Sequence, residues 1–278
     1  MYDLNMNEIE FPEGFIPLDI FISSIDKDRI TDKVEGGNRK LNYGSTYNER
    51  DIQLSILLKS HDTQDYRLLR DATYALFNKY DSFYLVEEYQ RGKRYLVSAD
   101  EKYIPERMTR RHATATINCF MSELPFAESI GTSADIDRGG INSDDALWGY
   151  GMGLITDEDS LIYSREVKSG ESFYVYNAGN VDIHPFEQDL NIAIKNFDRT
   201  SEPFEIKNIT NGSGIKVNGK LNESDVVEIK GPNVTINNLA ALRRTDRRYI
   251  ELSKGWNEFV MTGAYKATIE FDFRFYYK

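Results

Sequence analysis

One run of residues carries a clear helical period, Asp62 to Tyr80, and it lies between a strand pattern and a strand-dense stretch. A chain ordered in this way opens with a mixed domain and continues as almost pure β. The helix reading rests on Tyr66, Leu69, Ala72, Leu76, Phe77 and Tyr80, whose spacing by three and four lines one helical face. Asp62 stands at the N-cap position with Asp65 three places on. Just upstream, Ile52, Leu54, Ile56 and Leu58 alternate with Gln53, Ser55, Leu57 and Lys59, the period-two pattern of a half-buried strand broken only by Leu57.

Before that strand, Phe15 to Ile22 reads as a first strand, and residues Ser23 to Asn48 then turn polar around Gly36-Gly37, with a second run at Lys40 to Tyr43. This predicts a projecting β-hairpin whose arms are too poor in apolar residues to bury themselves. Its cover comes either from its own domain or from a neighbouring subunit. After the helix, Ser82 to Tyr89 and Arg94 to Ala99 flank a turn at Gln90-Arg91-Gly92-Lys93, and Thr109 to Ser122 is a long strand closed by Leu124-Pro125-Phe126. Gly131 to Gly153, rich in Gly, Ser and Asp, reads as a linker. From Leu161 on, short strands are expected at Ser172–Tyr176, Leu190–Lys195, Phe204–Ile209, Gly214–Val217, Val226–Ile229, Asn233–Ile236 and Tyr249–Leu252. The closing strand sets Ile269, Phe271, Phe273, Phe275 and Tyr277 on one face. Such punctuation argues for a β-sandwich. The expected organisation is a first domain over 1–130 with its arm at about 23–48 and helix at about 62–80, a linker over 131–160, and a sandwich over 161–278.

The 278 residues, 40% hydrophobic and 13% aromatic, suffice for cores of that size. The net charge of −11 is spread evenly, with 18 basic and 24 acidic residues before position 141 and 16 and 21 after it. An acidic surface without a basic stripe disfavours direct gripping of DNA. Cys119 is the single cysteine, which excludes an internal disulfide, and its setting predicts a buried, inert thiol. The polar, acidic start and the absence of a run of about 20 apolar residues predict cytoplasmic synthesis and no membrane insertion.

The order of these elements resembles the distal tail proteins of long-tailed phages of Gram-positive bacteria. The likeness covers nearly the whole chain. It rests on Tyr47-Asn-Glu-Arg-Asp-Ile52 leading into the helix, on Arg94-Tyr-Leu-Val97, and on the strand closing at Leu124-Pro-Phe126. In the second half it rests on Asn177-Ala-Gly-Asn180, Ile206-Lys-Asn-Ile-Thr-Asn-Gly212 and Leu252-Ser-Lys-Gly-Trp-Asn257. The resemblance implies a mainly β fold: an N-terminal α+β domain, built as a sandwich or barrel with one helix and a projecting hairpin, followed by a β-sandwich similar to galectins and carbohydrate-binding modules. It further implies a homohexameric ring at the virion tail tip. That ring joins the tail tube to the baseplate, contacts the major tail protein, the tape-measure protein and baseplate proteins, and lets DNA through its lumen without specific binding. Applied here, Gly36, Gly37, Arg39, Leu41, Tyr43, Tyr47 and Arg50 are the expected subunit-interface residues. A carbohydrate-binding protein that contacts host cell-wall glycan is the rival reading, with Trp148 and Tyr150 as the expected sugar-facing aromatics and Trp256 as a core or capping residue.

Catalytic chemistry finds little footing. His61, His112 and His184 stand in unrelated contexts and, with one cysteine, make no Cys/His zinc site. Asp135, Asp137, Gly139 and Gly140 are similar to the start of a calcium loop, but Ala146 stands where a bidentate Glu is required. Gly-x-Ser-x-Gly, Gly-x-Gly-x-x-Gly and the P-loop pattern are absent, and no carboxylate pair stands out among 45 acidic residues. The expectation is no enzyme, no metal and no cofactor. Two basic clusters, Arg107/Arg110/Arg111 and Arg243/Arg244/Arg247/Arg248, read as solvated faces or as partners for acidic patches on a neighbour.

Overall fold

The computed structural model describes residues 1–142, 146–155 and 161–278. Of the stretch expected as a linker, residues 143–145 and 156–160 lie outside the described residues. The chain divides into two compact units, one formed by Met1–Glu88, Arg94–Ala127 and Lys278, the other by Tyr89–Lys93 and Glu128–Tyr277. Residues 89–93 join the second unit because Gly92 packs where a Cβ would strike Met152 and the backbone of Trp148 and Gly149. No local sequence signal carries that contact.

In the first unit, β1 (Phe15–Ile22), β4 (Ile52–Lys59), β8 (His112–Met121) and β6 (Lys93–Ser98) are hydrogen-bonded in that order, with β5 (Phe83–Leu85) pairing β6 and β7 (Glu106–Arg107) pairing β8. Every pairing is antiparallel. The alternation along β4 does what its period requires: Ile52, Leu54, Ile56 and Leu58 are all buried. The helix α1 (Thr63–Lys79) starts at Asp62, whose carboxylate accepts from the amides of Gln64 and Asp65. It buries Tyr66, Leu69, Thr73 and Phe77, whereas Ala72, Leu76 and Tyr80 are only half-buried. Thr73 was not on the expected face. Its hydroxyl donates to the Leu69 carbonyl at 2.8 Å, so a polar residue enters the core without an orphaned group. Phe77 gathers Phe15, Phe83 and Tyr103 at centroid distances of 6.3, 5.9 and 5.9 Å. Cys119 is buried.

The strands β2 (Lys27–Lys33) and β3 (Lys40–Tyr47) make a separate two-stranded sheet, paired from Lys27 opposite Tyr47 to Lys33 opposite Lys40 with a register shift between Ile30 and Thr31.

In the second unit the expected linker contains structure. After the short strand β9 (Ala127–Ser129), α2 (Ser133–Gly139) is capped at Thr132, where the Asp135 carboxylate accepts from the Thr132 amide. A capping box is legible in Thr132-Ser-Ala-Asp135, but the surrounding glycines masked it. The strands that follow are β10 (Ser164–Lys168), β11 (Ser172–Asn177), β12 (Leu190–Asn208), β13 (Gly214–Val217), β14 (Val227–Lys230), β15 (Asn233–Ile236), β16 (Leu239–Ala240), β17 (Gly255–Phe273) and β18 (Tyr276–Tyr277). Two expected strands, Leu190–Lys195 and Phe204–Ile209, are one: β12 runs the whole length beside β17, with irregular register between Lys195 and Asp198 and between Thr200 and Glu205. Tyr249–Leu252 is not a strand, and only Leu252 pairs, in an isolated bridge to Ile183.

The sheet order is β10-β17-β12-β14-β15-β16, with β11 on β17 and β13 on β12. The two long strands serve both layers. The first half of β17 pairs β11 and the second half pairs β10, so the sheet curls over its own aromatic core. Phe173, Phe259 and Phe271 meet there at 5.5, 6.3 and 5.1 Å. At the bend, a Cβ on Gly263 (φ +90°) would strike the Pro203 carbonyl oxygen. The fold is thus mainly β, an α+β unit followed by a β-sandwich.

Candidate functional site

The ribbon β2/β3 is the candidate assembly element. Every residue of β2 is exposed, as is every residue of β3 except Tyr47. Gly36 (φ +78°) and Gly37 turn the chain, the Gly37 amide donating to the Val34 carbonyl. Around that turn Ile30 is 57% exposed and Tyr43 64%, and Val34 and Leu41 are exposed as well. A two-stranded ribbon with apolar side chains in water is marginal by itself. The Gly36, Gly37, Arg39, Leu41 and Tyr43 set therefore lies together along one element, with no cover from its own sheet.

Two of the expected interface residues, Tyr47 and Arg50, have partners within their own chain. Tyr47, at the ribbon's root, sets its ring edge-on to Phe126 at 5.7 Å, and the Lys278 ammonium donates to its hydroxyl at 2.8 Å, which draws the phenol below its usual pKa. Arg50 is buried beside the Tyr95 ring, 5.8 Å from its centroid, its Nε has no hydrogen-bond partner, and burial lowers its pKa. The sequence set its charge at a surface; β4 begins two residues later and carries the backbone inward.

The aromatics of the sandwich are also redistributed. Trp148, expected to be exposed in a glycine-rich linker, is 4% exposed; its ring lies 6.2 Å from Phe275, and its tip fills the space a Cβ on Gly131 would need. Tyr150 stands fully out at 91%. Trp256, expected in a core or capping place, is 42% exposed, with Tyr176 at 4.8 Å and Tyr174 at 6.5 Å. Residues at positions i and i+2 of a strand share a face, which joins Tyr174 and Tyr176 to the cross-strand Trp256.

The remaining candidates resolve into local structure. Asp135 caps α2, and Asp137 accepts from the Tyr163 amide, with burial raising its pKa. No group of three His, Cys, Asp or Glu among the described residues is arranged to hold a metal ion. Of the basic clusters, Arg107 lies over Tyr66 and donates to the Arg110 carbonyl, Arg244 donates to the carbonyls of Asn218 and Lys220, and Arg248 pairs with Asp246 and Glu205. These arginines hold their own loops.

The three second-half runs that carried the resemblance each hold a buried asparagine. The Asn177 side chain accepts from the Gly179 amide and donates to the Val181 carbonyl. Asn208 donates to the Glu251 carbonyl and to Asn257, while Asn257 accepts from the Ser253 amide and donates to the Ser253 and Gly255 carbonyls. Side chains that mimic backbone are the means by which tight turns close without orphaned groups.

Two family models match in chain order: the phage tail protein RIFT-related domain over residues 13–121, and the siphovirus-type tail component, C-terminal domain, over residues 187–275. The chain belongs to the siphovirus distal tail proteins. This tail protein shares its fold with SPP1 Dit (gp 19.1), described as a paradigm of the hub adsorption apparatus in phages infecting Gram-positive bacteria. That match has a TM-score of 0.64 at 12% identity, over 95% of this chain and 94% of that one. A chain of the phage P2 baseplate in its activated conformation with Ca overlaps 93% of this chain and 90% of its own length at 10% identity, with a TM-score of 0.36, too low to compare folds. No curated protein sequence matches.

Proposed function

We propose that this tail protein is a non-enzymatic hub: six copies close a ring at the tail tip, between the tail tube and the host-recognition apparatus. The observation that supports it is the β2/β3 ribbon, which among the described residues has a sheet partner only in itself and exposes Ile30, Val34, Leu41 and Tyr43. From Lys27 to Tyr47 the ribbon carries five basic residues (Lys27, Arg29, Lys33, Arg39, Lys40) against three acidic ones (Asp28, Asp32, Glu35) in a chain of net charge −11. A basic, apolar arm on an acidic body is complementary to a second copy of the same body. The contact is head-to-tail, the geometry that closes a ring by rotation.

The edge strand β1 extends this surface. Among the described residues it pairs only with β4, and it exposes Ile16, Leu18 and Phe21 just before the ribbon begins. In this reading the tail protein works by geometry, holding the major tail protein, tape-measure protein and baseplate proteins around an acidic lumen that DNA passes without binding. Light scattering coupled to size exclusion, with negative-stain images, tests the proposal: hexamer mass and ring-shaped particles are expected, and a monomer at high concentration overturns it.

A further inference from the structure

The sandwich holds both Asn-Gly pairs of the chain, Asn211-Gly212 and Asn218-Gly219, and both asparagines are exposed. Such a pair is prone to rearrange, because a glycine amide nitrogen reaches the preceding asparagine side chain without hindrance from a Cβ. The bonding around the two pairs is opposite. The Asn211 Oδ1 accepts from the Ser213 amide at 2.9 Å, its Nδ2 donates to the Glu251 carbonyl at 3.0 Å, and the Gly212 amide donates to the Asn208 carbonyl at 2.9 Å. Electrophile and nucleophile are both engaged elsewhere. At the second pair, just after β13, neither is: among the described residues, the Asn218 side chain and the Gly219 amide have no hydrogen-bond partner. Arg244 adds a further difference. Its Nε donates to the Asn218 main-chain carbonyl at 3.0 Å, and a Cβ on Gly219 would lie 2.9 Å from its Nη2. That carbonyl belongs to the same peptide unit as the Gly219 nitrogen. When the nitrogen loses its proton, the charge spreads onto the carbonyl oxygen, where a cationic donor already stands.

We infer that Asn218 is a self-modifying site, converted to aspartyl and β-aspartyl forms by its own backbone with Arg244 assisting. Hydroxide takes the Gly219 amide proton, and the nitrogen attacks the Asn218 Cγ. The bond from Cγ to the Gly219 nitrogen forms, the bond from Cγ to Nδ2 breaks, and Nδ2 leaves as ammonia after taking a proton from water. Water then opens the cyclic imide at either carbonyl, so the net change is one water consumed and one ammonia released. The two products differ in where the new carboxylate lies. Opening at Cγ leaves it on the side chain; opening at the main-chain carbonyl leaves it on the group that Arg244 already holds, which turns a hydrogen bond into an ion pair and favours the β-aspartyl form. This inference rests on the sandwich alone and stands or falls separately from the ring.

Ageing the full chain in mildly alkaline buffer made with heavy-oxygen water, with and without urea, tests it; the peptides carrying each pair are followed by mass spectrometry. In the folded protein Asn218 should convert at least about tenfold faster than Asn211, whose reaction must first break the hydrogen bonds that hold it. Each conversion should bring in one heavy oxygen, and in urea the two rates should converge. Arg244→Gln should slow conversion at Asn218 in the folded protein about tenfold, through loss of a charge-assisted hydrogen bond to the developing anion. An arginine that only pins the turn predicts the reverse, since its loss would free the backbone to react. Equal rates at the two sites in the folded protein, or an unchanged or faster rate in Arg244→Gln, overturns the proposal.

Discussion

Phe259 and Phe271 belong to a single strand, and their ring centroids lie 5.1 Å apart. A straight strand would hold them about 40 Å apart, so the contact exists only because β17 doubles over at Gly263. Phe173 joins both rings, and the two layers of the sandwich are closed by this cluster. Phe271→Ala should therefore lower unfolding free energy by about 3–5 kcal/mol, read from urea denaturation, since a buried ring is lost from a site that cannot collapse.

The ribbon predicts the opposite pattern. Replacing Ile30 and Tyr43 together by serine removes exposed apolar surface and leaves the core untouched. The melting temperature should stay where it is while the mass by light scattering falls to that of a monomer. A lowered melting temperature would show instead that the ribbon packs on its own chain.

Arg50 separates an interface role from a folding role. Its guanidinium is buried with Nε unpartnered, so its aliphatic stem packs while its charge is poorly compensated. Arg50→Met should retain stability and assembly, and Arg50→Ala should lower stability through the lost packing. Thermal melts of both variants check this; loss of assembly in Arg50→Met with an intact fold would return Arg50 to the interface.

Burial raises the Cys119 thiol from 9.0 to about 12. Because the folded state holds its proton more tightly than the unfolded one, the contribution to stability is complete below pH 9 and is lost as pH rises toward 12. Urea midpoints should fall across that window, less so in Cys119→Ala. A thiol reagent at pH 8 should label the protein only after denaturation.

Asn257→Ala removes the side chain that receives the Ser253 amide and reaches two carbonyls of the same turn. Leaving those buried groups unpaired should cost about 1–3 kcal/mol in a denaturant titration, although the position is polar and follows a turn.

Much of the fold is written in local pattern. The period-two run of β4, the helical run capped by Asp62, and the turn at Gly36-Gly37 are each decided by neighbours a few residues apart, and the structure has them at Ile52–Lys59, Thr63–Lys79 and between β2 and β3. The order of such elements was enough to point to the family. The candidate site was legible only in part: Leu41 and Tyr43 stand out on a ribbon that its polarity predicts, while Arg50 and Trp148 turn inward.

What the sequence determined, then, is where strands, helix and turns begin, because those choices depend on dihedral preference and on periodicity within one segment. What only the tertiary structure decided is which side chains share space across the chain. Glycines 92 and 131 admit Trp148 to a core, β12 continues through two apparent strands because β17 lies beside it, and Asp272 comes to face Asn191 across strands far apart in sequence. Burial and register are set by such distant contacts, so a segment read alone carries no record of them.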